Sequence, residues 1–150
     1  MKIILPVLLF ISSLFAELHT GMAFPNLHLV DQFGKVQHIQ TKGNVKVILS
    51  FDKASSLAVN TFLQRQKKDF LTHNHINYIS NISQVPSFIR DWVALPKMKN
   101  LPFEILLIYD EHISKKLNYE EGKVTVFTLK NNIITTINFI APEALNKILH

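Results

Sequence analysis

The 150-residue chain has no cysteine. A thiolate is the nucleophile and the metal ligand in cysteine chemistry. Its absence excludes thiol oxidoreductase, thiol peroxidase, iron–sulfur and cysteine-nucleophile activities, along with disulfides and acylation of a lipoprotein cysteine. Glycine is nearly as scarce: Gly21, Gly34, Gly43 and Gly122 are the four, and they lie far apart. A dinucleotide or flavin pyrophosphate is approached through glycines clustered in one turn, and no two here have that spacing. Long runs of one charge are missing too. The 16 basic and 11 acidic residues are scattered and leave a net charge of +5, which does not describe a nucleic-acid binder. Phe supplies 11 aromatic residues against three Tyr and one Trp, a balance suited to a core rather than to a stacking surface.

What is present is apolar. Hydrophobic residues make up 47% of the chain, enough for a packed core in one domain. At the N-terminus, Lys2 precedes the apolar run Ile3 to Phe15, and Ala16 follows. The charged, apolar and small-residue order is that of a secretory signal. The run is shorter than the ~20 residues a membrane-spanning helix needs, although an uncleaved anchor is the competing reading. The expectation is a signal peptide over 1–16, cleavage near Glu17, a folded domain over 17–150 and a periplasmic location. The domain then folds in an oxidising compartment without disulfides.

Taken in order, 27–30 and 36–39 flank the turn Asp31-Gln32-Phe33-Gly34 and predict a β-hairpin. Val45 to Phe51 is almost entirely apolar, which predicts a central strand covered on both faces. Asp52, Ser55 or Ser56 can cap the helix that follows, with Val59, Phe62, Leu63 and Phe70 as its inward stripe. Ile76 to Ile82 predicts a second strand. Pro86 suits a helix start, with Phe88, Ile89, Trp92 and Val93 as the buried face. Leu95-Pro96 and Leu101-Pro102 bracket a turn-rich link, and Ile105 to Tyr109 predicts a third buried strand. A short helical stretch over 113–117, stopped by Gly122, precedes two strands joined at Asn131-Asn132, a hairpin turn that Asn favours because it tolerates positive φ. Pro142 opens a last short helix. Alternating strands and helices followed by an antiparallel pair give an α/β sandwich with a mixed sheet.

This order resembles the thioredoxin-like folds of the TlpA and peroxiredoxin type. Phe24-Pro25 with Leu29-Val30-Asp31-Gln32-Phe33-Gly34 is similar to their N-terminal hairpin, and Pro102 to Asp110 to their inserted strand. The resemblance implies a three-layer sandwich with a mixed central sheet and an N-terminal β-hairpin. The loop Asp52-Lys53-Ala54-Ser55-Ser56 then stands where those families carry redox cysteines, and Val124 where they carry a proline. Lys53-Ala54-Ser55-Ser56 followed by Asn60, with Phe88-Ile89-Arg90, Ile108-Tyr109-Asp110 and Val126 to Asn131, resembles the YtfJ-like family of exported, cysteine-free thioredoxin-fold proteins. Similar proteins are sometimes labelled FAD/FMN-containing dehydrogenases.

Each candidate chemistry meets a plainer explanation. Trp92, Tyr78, Tyr109 and Tyr119 can stack on a flavin ring, but aromatics at such spacing more often fill a core. His73-Asn74-His75 on an extended segment would point both rings to one face and chelate a metal, with His19, His28, His38 and His112 as distant partners. A polar surface turn is the plainer and preferred account of the pair. Ser55 and Ser56 at a helix start sit near N–H groups able to stabilise an oxyanion, yet no G-x-S-x-G elbow surrounds them, and capping explains them. The expectation is a redox-inactive domain that works by binding, as a module or accessory of the bacterial envelope. Its vestigial cleft comprises Asp52, Lys53, Ala54, Ser55, Ser56, Lys123 and Val124, beside Gly122. Catalytic residues, a metal and a cofactor are not expected, and a flavin oxidoreductase holding FAD or FMN is the alternative. The partner is an envelope protein or a small ligand, with no nucleic acid and no membrane span after signal cleavage.

Overall fold

The computed structural model describes residues 17–149. The predicted signal peptide over 1–16 lies outside the described residues, as does His150. The strands are β1 (Leu29–Asp31), β2 (Val36–Gln37), β3 (Asn44–Ser50), β4 (Ile76–Asn81), β5 (Leu106–Ile108), β6 (Val124–Lys130) and β7 (Ile133–Ile140). They form one sheet in the order β2-β1-β5-β4-β3-β6-β7. β3, β4 and β5 run parallel, and the remaining pairs are antiparallel.

β3 lies inside the sheet, between β4 and β6, because its side chains are apolar on both faces. Val45, Val47 and Leu49 enter a core with Phe24, Leu27, Ile79, Phe127 and Leu129. Ile48 faces the other way, into a core with Val59, Phe62, Leu63, Tyr78 and Leu145. The second core is roofed by α1 (Lys53–Gln64), α2 (Phe70–His73) and α6 (Leu145–Leu149). The first is covered by the chain around Leu18 to Leu29, by Ile113 of α5 (Glu111–Ser114) and by Leu117 just after it. Lys46, the charged residue of β3, extends past the core and donates from Nζ to the Ile148 carbonyl at 2.9 Å. The cation thus satisfies a free carbonyl of the last helix while its stem covers apolar surface.

Turn chemistry explains the joints. Asn131 and Asn132 both take positive φ, 47° and 70°, as a two-residue hairpin turn between β6 and β7 demands. In the β1–β2 turn, Asp31 Oδ1 accepts from Phe33 N at 2.9 Å and Lys35 N at 3.0 Å, and Oδ2 accepts from Gln37 Nε2 at 3.1 Å. Burial pushes the Asp31 carboxyl up, but these hydrogen bonds outweigh it and hold it below the usual carboxylate range.

Three expectations are corrected. The helix carrying Val59 and Phe62 stops at Gln64, so Phe70 belongs to the next helix and not to the same stripe. Gly122 stops no helix. α5 already ends at Ser114, and Gly122, at φ 72°, turns the chain into β6. The third correction concerns 86–99. α3 (Ser87–Ile89) runs through a π-helical turn (Arg90–Ala94) into α4 (Leu95–Lys99), so the expected link after Leu95 is helix. Pro96 has no N–H to donate to Trp92 one α-turn back. The chain widens just before it, with Leu95 N bonded to the Arg90 carbonyl five residues earlier. That shift changes which residues face inward. Leu95 and Met98 pack on the core, whereas Phe88, Ile89, Trp92 and Val93, expected to be buried, are exposed.

Candidate functional site

The loop after β3 is built around one carboxylate. Asp52 is extended and caps α1: its Oδ1 accepts from Ser55 N at 2.8 Å and from Ser55 Oγ at 2.8 Å. Ser55 Oγ in turn accepts from Phe51 N at 3.0 Å and Asp52 N at 3.1 Å, which closes a reciprocal capping box. Asp52 Oδ2 is engaged across the fold, accepting from Gly122 N at 2.6 Å. One side chain therefore caps a helix and ties it to the turn before β6. Burial pushes the Asp52 carboxyl up, and the hydrogen bonds from Ser55 and Gly122 more than reverse this, holding it below the usual range.

The residues expected to form a cleft are brought together, but not all of them face solvent. Ser55 and Val124 are fully buried, and Val124 packs in the core beneath α1; neither can touch a ligand. Lys53 and Ala54 are exposed, while Asp52, Ser56 and Lys123 are partly buried. Lys123 pairs with Glu120 at 2.7 Å. Ser55 spends its hydroxyl on the cap, and Ser56 Oγ donates to Ser50 Oγ at 2.9 Å. The carboxylate that Ser55 Oγ meets is that of its own cap, Asp52, and Ser55 is sealed from solvent. Ser56 Oγ meets the hydroxyls of Ser50 and Ser80, so the arrangement offers no accessible activated nucleophile.

Behind the loop lies a polar cluster that the sequence reading missed. Ser56 Oγ lies 3.4 Å from Ser80 Oγ, Ser50 Oγ 3.2 Å from the Tyr78 hydroxyl, and that hydroxyl donates to Asn60 Oδ1 at 3.1 Å. Burial pushes the Tyr78 phenol up to about 12, against the smaller opposing effect of its serine neighbours. A signal was available. Ser50 and Ser80 are polar breaks at matching register in two apolar strands, and Ser56 and Asn60 are one helical turn apart, so they share a face. Nearby, at the carboxyl end of β4, Asn81 Oδ1 accepts from Ser83 N at 3.1 Å. Its buried Nδ2 has no partner among the described residues.

Two concave features flank this scaffold. A groove of about 690 Å³ starts at Ala54 and runs along Leu57 and Thr61 of α1 to Arg65 just past its end, with Pro142 and Asn146 on its far wall. A smaller cavity of about 360 Å³ lies between Gln37, His38, Lys68, His75 and Glu104. Burial, and secondarily the nearby Asp31 carboxylate, pushes the Glu104 carboxyl up there. The H-x-H pair is not extended: His73 ends α2 and His75 takes φ 53°, so the geometry for chelation by one strand face is not formed. No group of three or more metal-ligating side chains occurs among the described residues. Nor do the aromatics considered for a flavin converge. Tyr78 is buried, Tyr119 stacks on Phe51 at 3.7 Å, Tyr109 lies under the Arg90 guanidinium, and Trp92 is exposed.

Neither a scan against protein-family models nor a search of curated proteins finds a match. Solved structures do match. The thioredoxin domain of a thiol-disulfide oxidoreductase from Bacteroides vulgatus superposes with a TM-score of 0.57 at 12% identity, covering 88% of this chain and 96% of that one. Peroxidoxin BcpB from Mycobacterium tuberculosis gives 0.56 at 13%, covering 87% and 92%. A thiol peroxidase from Chromobacterium violaceum gives 0.51 at 14%, covering 89% and 87%. The fold is thioredoxin-like, a three-layer α/β sandwich with a mixed central sheet and an N-terminal hairpin.

Proposed function

We propose that this is an exported, redox-inactive thioredoxin-like domain of the YtfJ-like kind, acting in the periplasm as a binding or accessory module of the bacterial envelope. The observation that carries the reading is the Asp52 carboxylate, fully occupied in joining α1 to Gly122. A loop organised this way holds a surface in place and does not present a reactive group. Lys53 and Ala54 are its exposed edge, and the groove that begins at Ala54 offers a partner or a small ligand a rigid apolar wall. The reading involves no flavin, in keeping with the glycine spacing.

The test combines chemistry with binding. Insulin-reduction and peroxide-reduction rates of the pure protein stay at background, and the protein retains no flavin absorbance. An envelope component captured by the wild type is lost with Leu57→Asp in the groove and weakened with Asp52→Ala, but kept with Lys147→Ala. Capture that ignores the groove and follows Lys67 and Lys68 instead makes the site a surface electrostatic one and ends this reading.

A further inference from the structure

The helical stretch 87–99 carries four exposed apolar side chains within six residues that the fold does not use. Trp92 is 85% exposed and Phe88 68%, with Ile89 and Val93 beside them. The β1–β2 turn adjoins its C-terminal end, because Gln32 Nε2 reaches the carbonyls of Met98 at 3.5 Å and Phe103 at 2.7 Å. That turn adds Phe33, 65% exposed. Scattered apolar residues on a surface need no explanation, but a cluster holding the chain's single Trp does.

We propose that this face seats on the surface of a bilayer rich in anionic lipid, with Trp92 and Phe88 entering the headgroup region and Lys97 and Lys99 meeting lipid phosphates. The side chains protrude. A protein interface anchors its aromatics in pockets, whereas a lipid interface receives protruding Trp and Phe without needing a matching shape. Charge points the same way. Arg90 pairs with Asp91 at 3.2 Å and covers the Tyr109 ring. Lys97 and Lys99, exposed in the last turn of the same helix, have no ion pair among the described residues. The chain's net charge of +5 adds a long-range pull toward a negative surface. No helix among the described residues is long and apolar enough to cross a membrane, so contact is at the interface. The π-helical turn forced by Pro96 supplies the mechanism, since it turns an apolar set outward while Leu95 and Met98 keep the helix on the core.

Trp92 is its own reporter, as the only Trp in the chain. The experiment uses the full chain with vesicles of phosphatidylcholine alone or mixed with phosphatidylglycerol. It reads Trp92 emission and its quenching by brominated lipid, because the apolar run at 3–15 would confuse a sedimentation assay. The expected result is a blue shift and quenching with phosphatidylglycerol vesicles, weakened by salt. The double variant Lys97→Glu/Lys99→Glu needs about tenfold more lipid for half-maximal shift, and Phe88→Ser also weakens it. Emission that stays unshifted while the chain binds vesicles overturns the proposal, as does an equal shift on neutral lipid. A blue shift without lipid that grows with protein concentration and that Phe88→Ser removes also overturns it, since a second copy would then cover this face.

Discussion

Removing the Asp52 carboxylate strands two donors at once, the Ser55 N–H and the Gly122 N–H, while the Ser55 hydroxyl keeps the Asp52 carbonyl as acceptor at 3.1 Å. Loss of an N-cap side chain costs about 0.5–2 kcal/mol. The bond to Gly122 places Asp52→Ala at the upper end, at about 2 kcal/mol, measured by urea unfolding; a cost near zero would show that the tie carries no stability. The same site sets an acid limit. Asp31 and Asp52 are both held below the ordinary Asp value, so their contribution is complete above about pH 4 and is lost as pH falls through the depressed folded values. Tyr78, pushed up to about 12, works in the opposite sense. Its contribution is complete below the ordinary phenol value of about 10 and disappears as pH rises toward its folded value. Melting temperature against pH should show both limits, with Asp52→Asn reducing the acid slope and Tyr78→Phe the alkaline one.

At the level of elements, β3 is the one whose truncation should matter most. Leu49 is fully buried among both neighbouring strands, so Leu49→Ala should cost about 2–5 kcal/mol in equilibrium unfolding. Phe51 lies just past the strand end, partly exposed and stacked on Tyr119. Phe51→Ala should cost less, and an equal cost would mean that the stacked pair is as integral as the core. The strands were legible in the sequence because apolar runs and alternation report burial directly. The 86–99 helix was legible in its start at Pro86 but not in its orientation. Spacing counted at 3.6 residues per turn assumes regular geometry, and Pro96 breaks that regularity before the helix ends.

For the whole molecule, the export reading makes its own demand. Protein recovered from the envelope fraction should begin near Glu17 on N-terminal sequencing; a full-length chain confined to the cytoplasm would rule export out. The sequence by itself determined the α/β class, the hairpin at Asn131-Asn132, the capping role open to Asp52 and Ser55, and the absence of thiol chemistry. These follow from local steric preference, from periodicity and from which atoms the chain contains. Only the tertiary structure decided that Asp52 reaches Gly122, that Ser55 and Val124 are sealed from solvent, that Ser50, Ser56, Ser80, Tyr78 and Asn60 meet, and that Trp92 faces outward. Each of these depends on contacts between residues distant in sequence, or on a helical phase set by backbone geometry. A residue's type and spacing do not contain either one.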